Sequence, residues 1–477
     1  MLHDVITWGA IVVLAEWLLQ IVMLIVVPLR RSPQDAKGWL LLIFFLPWLG
    51  LALFLLIGRP KSPKWRSEQL ARLPGKLAGV MERLRVHPNV FRPAVAPELS
   101  QAVTLAQNLG RMPILGGNHA ELPADYDGII ARLVEDIDAA AHHVHLLYYI
   151  YADDGTARRV TEALQRAVRR GVRCRVLVDW LGSRAYTRSL VPRLRAAGVE
   201  VHEMLPIGLF RRKMSRFDLR NHRKIAVIDG RIGYTGSQNL VNAKFKEGIT
   251  YEELMVRVTG PIVLELQYVF VADWYLETDE VLDAADVFRD PAVAGEIPAQ
   301  ALPSGPDFPT ENNQRFLVAL IHGARRNVVI TTPYFIPDEA LLQALETAVL
   351  RGVEVHLVVS RKVDQPLVGL AQQSYYEQLL EEGIAVHRYR GKFLHAKHLT
   401  VDDAIAIIGS SNMDIRSFEL NAEITLVFYD PALTARLCRQ QQRYLANCER
   451  LTLPGWQQRR LAAKVLQNLA RLVSPLL

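Results

Sequence analysis

The chain has 477 residues, half of them apolar, which suits two or three packed domains. Its net charge of +7 and pI near 9.2 favour an anionic partner: nucleic acid, anionic lipid or a phosphate-bearing substrate. The three cysteines, Cys174, Cys438 and Cys448, form no CxxC pair and no Cys/His cluster with zinc spacing, so neither a disulfide framework nor a structural metal is expected.

Two apolar runs open the chain. The first, Val5 to Val27, is interrupted by Glu16 and Gln20; the second, Trp39 to Ile57, carries no charge over 19 residues. Each approaches the ~20 residues that cross a bilayer as a helix, and the short polar link PLRRSPQDAKG predicts a transmembrane helical hairpin over 1–58. A cleaved signal peptide fits poorly, because no basic region precedes the first run and a second apolar run follows. Glu16 reads either as a carboxyl facing a partner helix or as one reaching an interface. Arg59, Lys61, Lys64 and Arg66 follow the second run and lean the main body toward the cytoplasm. The expected location is therefore a membrane, with a multi-pass anchor.

Residues 59–125 read as a connector with scattered helix, broken by prolines 60, 63, 74, 88, 93 and 97. The chain then repeats itself. HVHLLYYIYADD, ARRVTEALQRAVRRG and VRCRVLVDW run strand, helix, strand, and so do NVVITTPYFIPDE, ALLQALETAVLRG and VEVHLVVSR. RGVRCRVLVD and RGVEVHLVVS align without a gap. This pattern predicts an α/β fold of two pseudo-symmetric halves built from parallel βαβ units, at 126–280 and 305–450. A Pro- and Ala-rich linker over 281–304 separates them, and an amphipathic C-terminal helix lies in 451–477.

The chemistry-bearing motif also occurs twice. NHRKIAVIDG holds His222, Lys224 and Asp229; LHAKHLTVDD holds His395, Lys397 and Asp402. A matching turn follows each, with Gly236, Ser237 and Asn239 in one copy and Gly409, Ser410 and Asn412 in the other; His to Asn is 17 residues in both. A His and a Lys two apart on a strand share a face, so the imidazole can reach a phosphorus while the ammonium holds its oxygens. The serines and asparagines are candidate phosphate-binding donors. Packing alone does not demand the same polar triplet twice. The aspartates sit in turns, IDG and VDD, where a local structural role competes with a catalytic one.

These residues resemble the phospholipase D superfamily, whose members carry paired HxKxxxxD motifs in a pseudo-twofold site. The hairpin run AKGWLLLIFFLPWLG, LGRMPILGGN, DLRNHRKIAVIDGRIGYTGSQNLVN and GSSNMDIRSFELNAE resemble bacterial cardiolipin synthases of the two-span type, over nearly the whole chain. The stretch AKFKEGITYEEL is shorter than in that branch. The resemblance implies an active site between the halves and transfer of a phosphatidyl group through a phosphohistidine. Two phosphatidylglycerol molecules would give cardiolipin and glycerol, with His222 as nucleophile and His395 as acid and base. It calls for no cofactor, since Lys224 and Lys397 can supply the charge on the transition state. Anionic membrane lipids are the expected partners, and a homo-oligomer stays open. The two apolar runs and the scarcity of aromatics in basic stretches argue against nucleic acid. Hydrolysis, or exchange with another alcohol, runs on the same motifs and stays open at this point.

Three further readings concern supporting residues. Glu253 and Glu423 begin strand-like runs 31 and 28 residues after the histidines of their own copies, where the superfamily has an acidic residue that holds the catalytic His. Glu252 should point away. Leu209, Phe210, Arg211, Arg212, Lys213 and Arg216 suit a loop that dips into anionic lipid. In the tail, Leu461, Val465, Leu469 and Leu472 recur at helical spacing, and this stripe is expected to pack on the body.

Overall fold

The computed structural model describes residues 2–31, 33–58, 64–123, 125–207, 216–282 and 284–472. Three apolar helices come first: α1 (Leu2–Val26), α2 (Pro33–Phe45) and α3 (Pro47–Ile57). Within α1, Trp8–Val26 is long and apolar enough to cross a membrane. The second apolar run is not the single span that its length predicts. Pro47 has no amide hydrogen and its ring opposes the preceding helical turn, so α2 stops at Phe45 and α3 starts afresh. At 13 and 11 residues the two helices are about 20 Å and 16 Å long, short of the roughly 30 Å of bilayer hydrocarbon. They fold back on each other. The rings of Trp39 and Phe54 meet edge-on at 5.4 Å, and a β-carbon on Gly50 would stand 2.8 Å from the Cα of Ile43.

Short helices, Lys64–Lys76, Ala78–Arg85 and Pro97–Gly110, follow. Arg66 locks the first of them onto the body: its guanidinium is buried and donates to Glu277 at 2.9 Å and to Asp307 at 2.8 Å.

One continuous mixed sheet crosses the body. From one edge inward run Glu200–Met204, Arg173–Asp179, His143–Tyr148, Ile225–Ile228, Ile232–Gly236, Met255–Thr259 and Leu115–Glu121. From the other edge, inside the terminal strand Cys448–Arg450, run Ala385–Tyr389, Glu354–Ser360, Asn327–Thr331, His398–Val401, Ile405–Gly409, Asn421–Phe428 and Ile297–Ser304. The two series mirror each other strand for strand. They join in the middle, where Leu115–Glu121 runs antiparallel to Ile297–Ser304, with Leu115 opposite Ala299.

In each half a helix crosses between parallel strands: Gly155–Arg169 links His143–Tyr148 to Arg173–Asp179, and Glu339–Leu350 links Asn327–Thr331 to Glu354–Ser360. The repeated aspartates that end the strand-like runs cap these helices. Asp154 accepts from the Ala157 amide at 3.0 Å, and Asp338 from that of Leu341 at 3.1 Å. The motif strands sit beside these units as antiparallel hairpins, Ile225–Ile228 with Ile232–Gly236 and His398–Val401 with Ile405–Gly409. The stretch read as a linker ends in the strand Ile297–Ser304, and the stretch read as a connector contains the strand Leu115–Glu121.

The tail forms the helix Leu461–Leu472, and it packs on the body through the face opposite to the one expected. Gln467 and Ala470 are buried, Gln467 donates to Gln373 at 2.9 Å, and Arg471 lies over the Tyr375 ring at 4.1 Å. Leu461, Val465, Leu466, Leu469 and Leu472 face outward, half exposed or more. An apolar stripe beside basic residues is what a lipid surface would cover. Replacing Leu466 and Leu469 together with Glu should make the tail helix of protein reconstituted in anionic vesicles more accessible to protease while leaving the melting temperature within about 2 °C, since exposed positions contribute little to stability. A drop in melting temperature with unchanged protease accessibility would refute the lipid-facing role.

Candidate active site

Each motif histidine is held by the opposite half. Arg220–Asn221 pairs in parallel with Asn421–Ala422, and the His222 amide donates to the Ala422 carbonyl at 2.8 Å. Phe393–Leu394 pairs in parallel with Tyr251–Glu252, and the His395 amide donates to the Glu252 carbonyl at 2.8 Å. The residue after each accepting carbonyl is a glutamate. His222 Nδ1 therefore meets Glu423 at 2.9 Å, and His395 Nδ1 meets Glu253 at 2.7 Å. Both glutamates bond a histidine, but the partners are exchanged relative to the sequence reading, because the clip that positions each histidine comes from the other half. Glu252 turns away and pairs with Lys392 at 3.0 Å.

An ionised carboxylate only accepts, so with both glutamates charged each bond puts the imidazole proton on Nδ1 and leaves Nε2 with a free lone pair. The rings are almost enclosed, with 12% and 10% of the His222 and His395 side chains exposed, enough to admit a reactant from one side.

The serines of the two turns brace the segments that carry the glutamates. Ser237 Oγ accepts from the Leu254 amide at 2.9 Å, Ser410 Oγ accepts from the Ile424 amide at 3.0 Å, and Ser410 donates to Glu423. Ser237 donates instead to the Leu254 carbonyl at 3.1 Å, and Glu253 Oε2 is left without a partner. The glycines before them make this approach feasible. A β-carbon would lie 2.4 Å from the Leu254 carbonyl oxygen at Gly236 and 2.6 Å from that of Ile424 at Gly409. Asn239 Oδ1 accepts from the Ile150 amide at 3.1 Å, and Asn412 is buried with an unpaired Oδ1.

Lys224 and Lys397 are buried, and each Nζ reaches back to the carbonyl of its own histidine, at 2.5 Å and 2.7 Å. Burial in this dry, basic cluster pulls Lys224 down to about 7 and Lys397 to about 8. His222 is pushed well below its ordinary value, first by burial and then by Lys224, Lys397 and His395, whose charges all act on it. The four groups thus form one cluster.

The two histidine–carboxylate pairs differ. Burial pushes Glu423 up to about 7 despite Lys224 and Ser410. At Glu253 burial is outweighed by His395 and Lys397, and its carboxyl lies below the usual range. His395 is shifted down by burial, opposed by Glu253.

Asp229 and Asp402 do not join the reacting groups. Each sits past the far end of its motif strand, at φ +53°, as a loop carboxylate that ties down the start of a neighbouring strand. Asp229 accepts from the amides of Ala141, His142 and His143, and Asp402 from those of Arg325, Arg326 and Asn327. Of the two roles open to them in the sequence, these bonds are those of the structural one. The distance is the reason: four strand residues separate them from the Lys, so the Cα atoms stand on the order of 16 Å apart.

Several site neighbours escape the sequence reading. Arg223, between the motif His and Lys, is buried and donates to Asp273 at 2.6 Å and to the Glu423 carbonyl at 3.0 Å. Removing one member of such a buried pair typically costs about 3–5 kcal/mol. The signal was Asp273 itself, an acid inside the apolar helix Val263–Thr278. Tyr149 lies edge-on to His222 at 4.9 Å, and Tyr334 to His395 at 6.5 Å. They do not occupy equivalent positions of the repeat, since Tyr149 aligns with Pro333 and Tyr334 with Ile150, so the repetition does not mark them. Asp364 ties the hydroxyls of Tyr334 and Tyr251 to Lys246 beside His395. The lipid-loop residues Leu209, Phe210, Arg211, Arg212 and Lys213 lie outside the described residues; Arg216 pairs with Asp218. Among the described residues no group of His, Cys, Asp or Glu has the arrangement of a metal site.

Two mirrored α/β halves with a His–Lys strand in each define a phospholipase D-like protein. The family model for the cardiolipin synthase, phospholipase D-like domain matches residues 133–274 and 317–445. Cardiolipin synthase A of Pectobacterium atrosepticum is 35% identical over all of this chain and 99% of its own length. That of Yersinia pseudotuberculosis is 34% identical over the same shares. The crystal structure of phosphatidylserine synthase from Haemophilus influenzae shares the fold, with a TM-score of 0.61 and 15% identity over 79% of this chain and all of that one. The chain belongs to the cardiolipin synthase family of phospholipase D-like proteins.

Two measurements probe the site. In Glu423→Gln the downfield Nδ1–H proton resonance of His222 should move upfield while that of His395 stays, and Glu253→Gln should do the reverse; the original pairing by halves predicts the opposite. Both variants should lose about a hundredfold or more in turnover, as expected when a histidine loses its orienting carboxylate, while Glu252→Gln loses little. The lysines set a pH dependence. A lysine depressed to about 7 or 8 is charged below that pH and neutral above it, and only the charged form holds an anion. Inhibition by inorganic vanadate should therefore weaken as pH rises through 7 to 8, by up to about tenfold per unit per lysine. A flat profile there would show both ammonium groups to be unperturbed.

Proposed function

We propose that this protein is a cardiolipin synthase, a phosphatidyltransferase that joins two phosphatidylglycerol molecules into cardiolipin and releases glycerol. What carries the reading is the pair of imidazoles, each backed by a carboxylate from the other half and by a lysine, in a chain matched along its whole length by named cardiolipin synthases. Nε2 of His222 attacks the phosphorus of the first phosphatidylglycerol. The bond to the glycerol oxygen breaks, and His395 gives that oxygen its proton. The terminal hydroxyl of a second phosphatidylglycerol then attacks the phosphohistidine, His395 takes back a proton, and the N–P bond breaks. Atoms balance as two phosphatidylglycerols in, one cardiolipin and one glycerol out.

The unequal carboxylates support this division of labour. His222 lies well below its ordinary value and so stays neutral and nucleophilic; at His395 the charge of Glu253 opposes the downward pull of burial, which makes it the better proton carrier of the two. Lys224 and Lys397 take the negative charge on the equatorial oxygens. Asn239 and Asn412 are left as amide donors to the phosphate, with Ser410 behind them holding Glu423 and Ser237 holding the main chain next to Glu253. The protein works at a bacterial inner membrane, with its catalytic body on the cytoplasmic face and anionic lipids around it.

Purified protein given headgroup-labelled phosphatidylglycerol in mixed micelles should release glycerol and form cardiolipin in equal amounts. Phosphatidic acid as the main product would instead make it a hydrolase. His222→Ala and His395→Ala should each lower transfer by at least about a thousandfold with the fold intact. An acid-labile, base-stable adduct should form on His222; an adduct on His395 would reverse the assignment.

A further inference from the structure

The broken second apolar run, the two polar residues of the span Trp8–Val26 and the placement of positive charge point to one arrangement. α2 climbs alongside α1 from Pro33, turns at Leu46–Pro47, and α3 descends again to Ile57. The depth of the turn is fixed by two bonds to α1. Trp48 Nε1 donates to Glu16 Oε1 at 3.1 Å, and Gln20 Nε2 donates to the Phe44 carbonyl at 3.2 Å. At the base, Arg31 Nε donates to the Gly58 carbonyl at 2.9 Å, which sets the end of α3 level with the end of α1. Ten residues separate Glu16 from Val26, about 15 Å of helix and half the hydrocarbon thickness. The turn therefore lies near the middle of the span Trp8–Val26.

A turn at that depth leaves backbone groups unpaired, and lipid offers them no partner. Glu16 and Gln20 are the two residues that interrupt the first apolar run, and both face this turn: Gln20 meets one of its carbonyls, that of Phe44, and Glu16 holds the Trp48 indole. An apolar seam of Met23, Val27, Ala36, Ile43 and Phe54 packs the three helices together, while Leu14, Leu18, Leu41, Phe45, Leu49 and Leu55 point outward as a lipid-facing surface.

We propose that α2–α3 is a re-entrant helical hairpin, dipping to mid-bilayer beside a single spanning helix, so that the N-terminus and the catalytic body lie on opposite faces of the membrane. The charges agree. Two full spans would divide the basic residues, with Arg30, Arg31 and Lys37 on one face and Arg59, Lys61, Lys64 and Arg66 on the other. The re-entrant hairpin gathers all of them on the face of the body and leaves a first segment, MLHD, with no Lys or Arg on the opposite face, which is the distribution that the positive-inside rule favours. Arg66 is already buried in the body, so the body sits directly at the membrane surface.

The test is labelling of the full-length protein in oriented membranes, in a Cys438→Ser/Cys448→Ser background; Cys174 is buried. Arg30→Cys and Leu350→Cys, placed separately at exposed positions, are probed with a membrane-impermeant maleimide in spheroplasts and in inverted vesicles. The re-entrant hairpin predicts that both label from the same face, and that an epitope fused ahead of Met1 is reached only from the other. Labelling of Arg30→Cys and Leu350→Cys from opposite faces would establish two full spans and overturn the proposal, as would an N-terminal epitope on the face of the body. In Glu16→Leu/Gln20→Leu the turn loses both of its polar ties to α1, so a second population with Arg30→Cys labelled from the opposite face should appear; a single unchanged population would remove the role of those ties. None of these readouts depends on turnover, so they stand apart from the catalytic reading.

Discussion

The amide of each motif histidine is bonded to the main chain of the opposite half, and the rest of the site depends on those two bonds. Ala422 and Glu252 offer the carbonyls, and the next residue in each case, Glu423 or Glu253, supplies the carboxylate that fixes the ring. A single main-chain register thus sets backbone position, tautomer and direction together. Neither half contains a complete histidine–carboxylate pair. The serine turns, the glycines that let them approach, and the Arg223–Asp273 pair all act on these two short segments.

The same reciprocity limits what the sequence discloses. The His–Lys triplets, the Gly-Ser-x-Asn turns and both glutamates are legible because they recur at matched spacing, and recurrence is a property of the one-dimensional string. Which glutamate meets which histidine is not, because pairing across more than a hundred residues is decided by how the halves dock. The aspartates of the motifs show the reverse error. They recur as faithfully as the histidines, yet they tie strand starts, so recurrence in a duplicated fold marks shared architecture as well as shared chemistry.

Other differences have local causes. The 19-residue apolar run satisfies a length criterion that takes no account of Pro47, and one missing amide hydrogen turns a span into two half-length helices. The central strands Leu115–Glu121 and Ile297–Ser304 carry Gly, Asn and Pro and lack the alternation of a half-buried strand, so composition reads them as connector and linker. The tail helix shows helical periodicity plainly, but periodicity identifies an apolar face without saying what covers it.

Those two central strands also govern how the enzyme can move. Because Leu115–Glu121 is bonded to Ile297–Ser304, which is bonded in turn to the strand carrying Glu423, the halves meet inside a sheet rather than across a hinge. Parting them would rupture the middle of that sheet. Opening and closing of domains is thus unavailable as a way to change reactants. Reactants must then enter and leave a centre whose two walls keep a fixed spacing, so their traffic is set by diffusion and by the motion of loops and side chains.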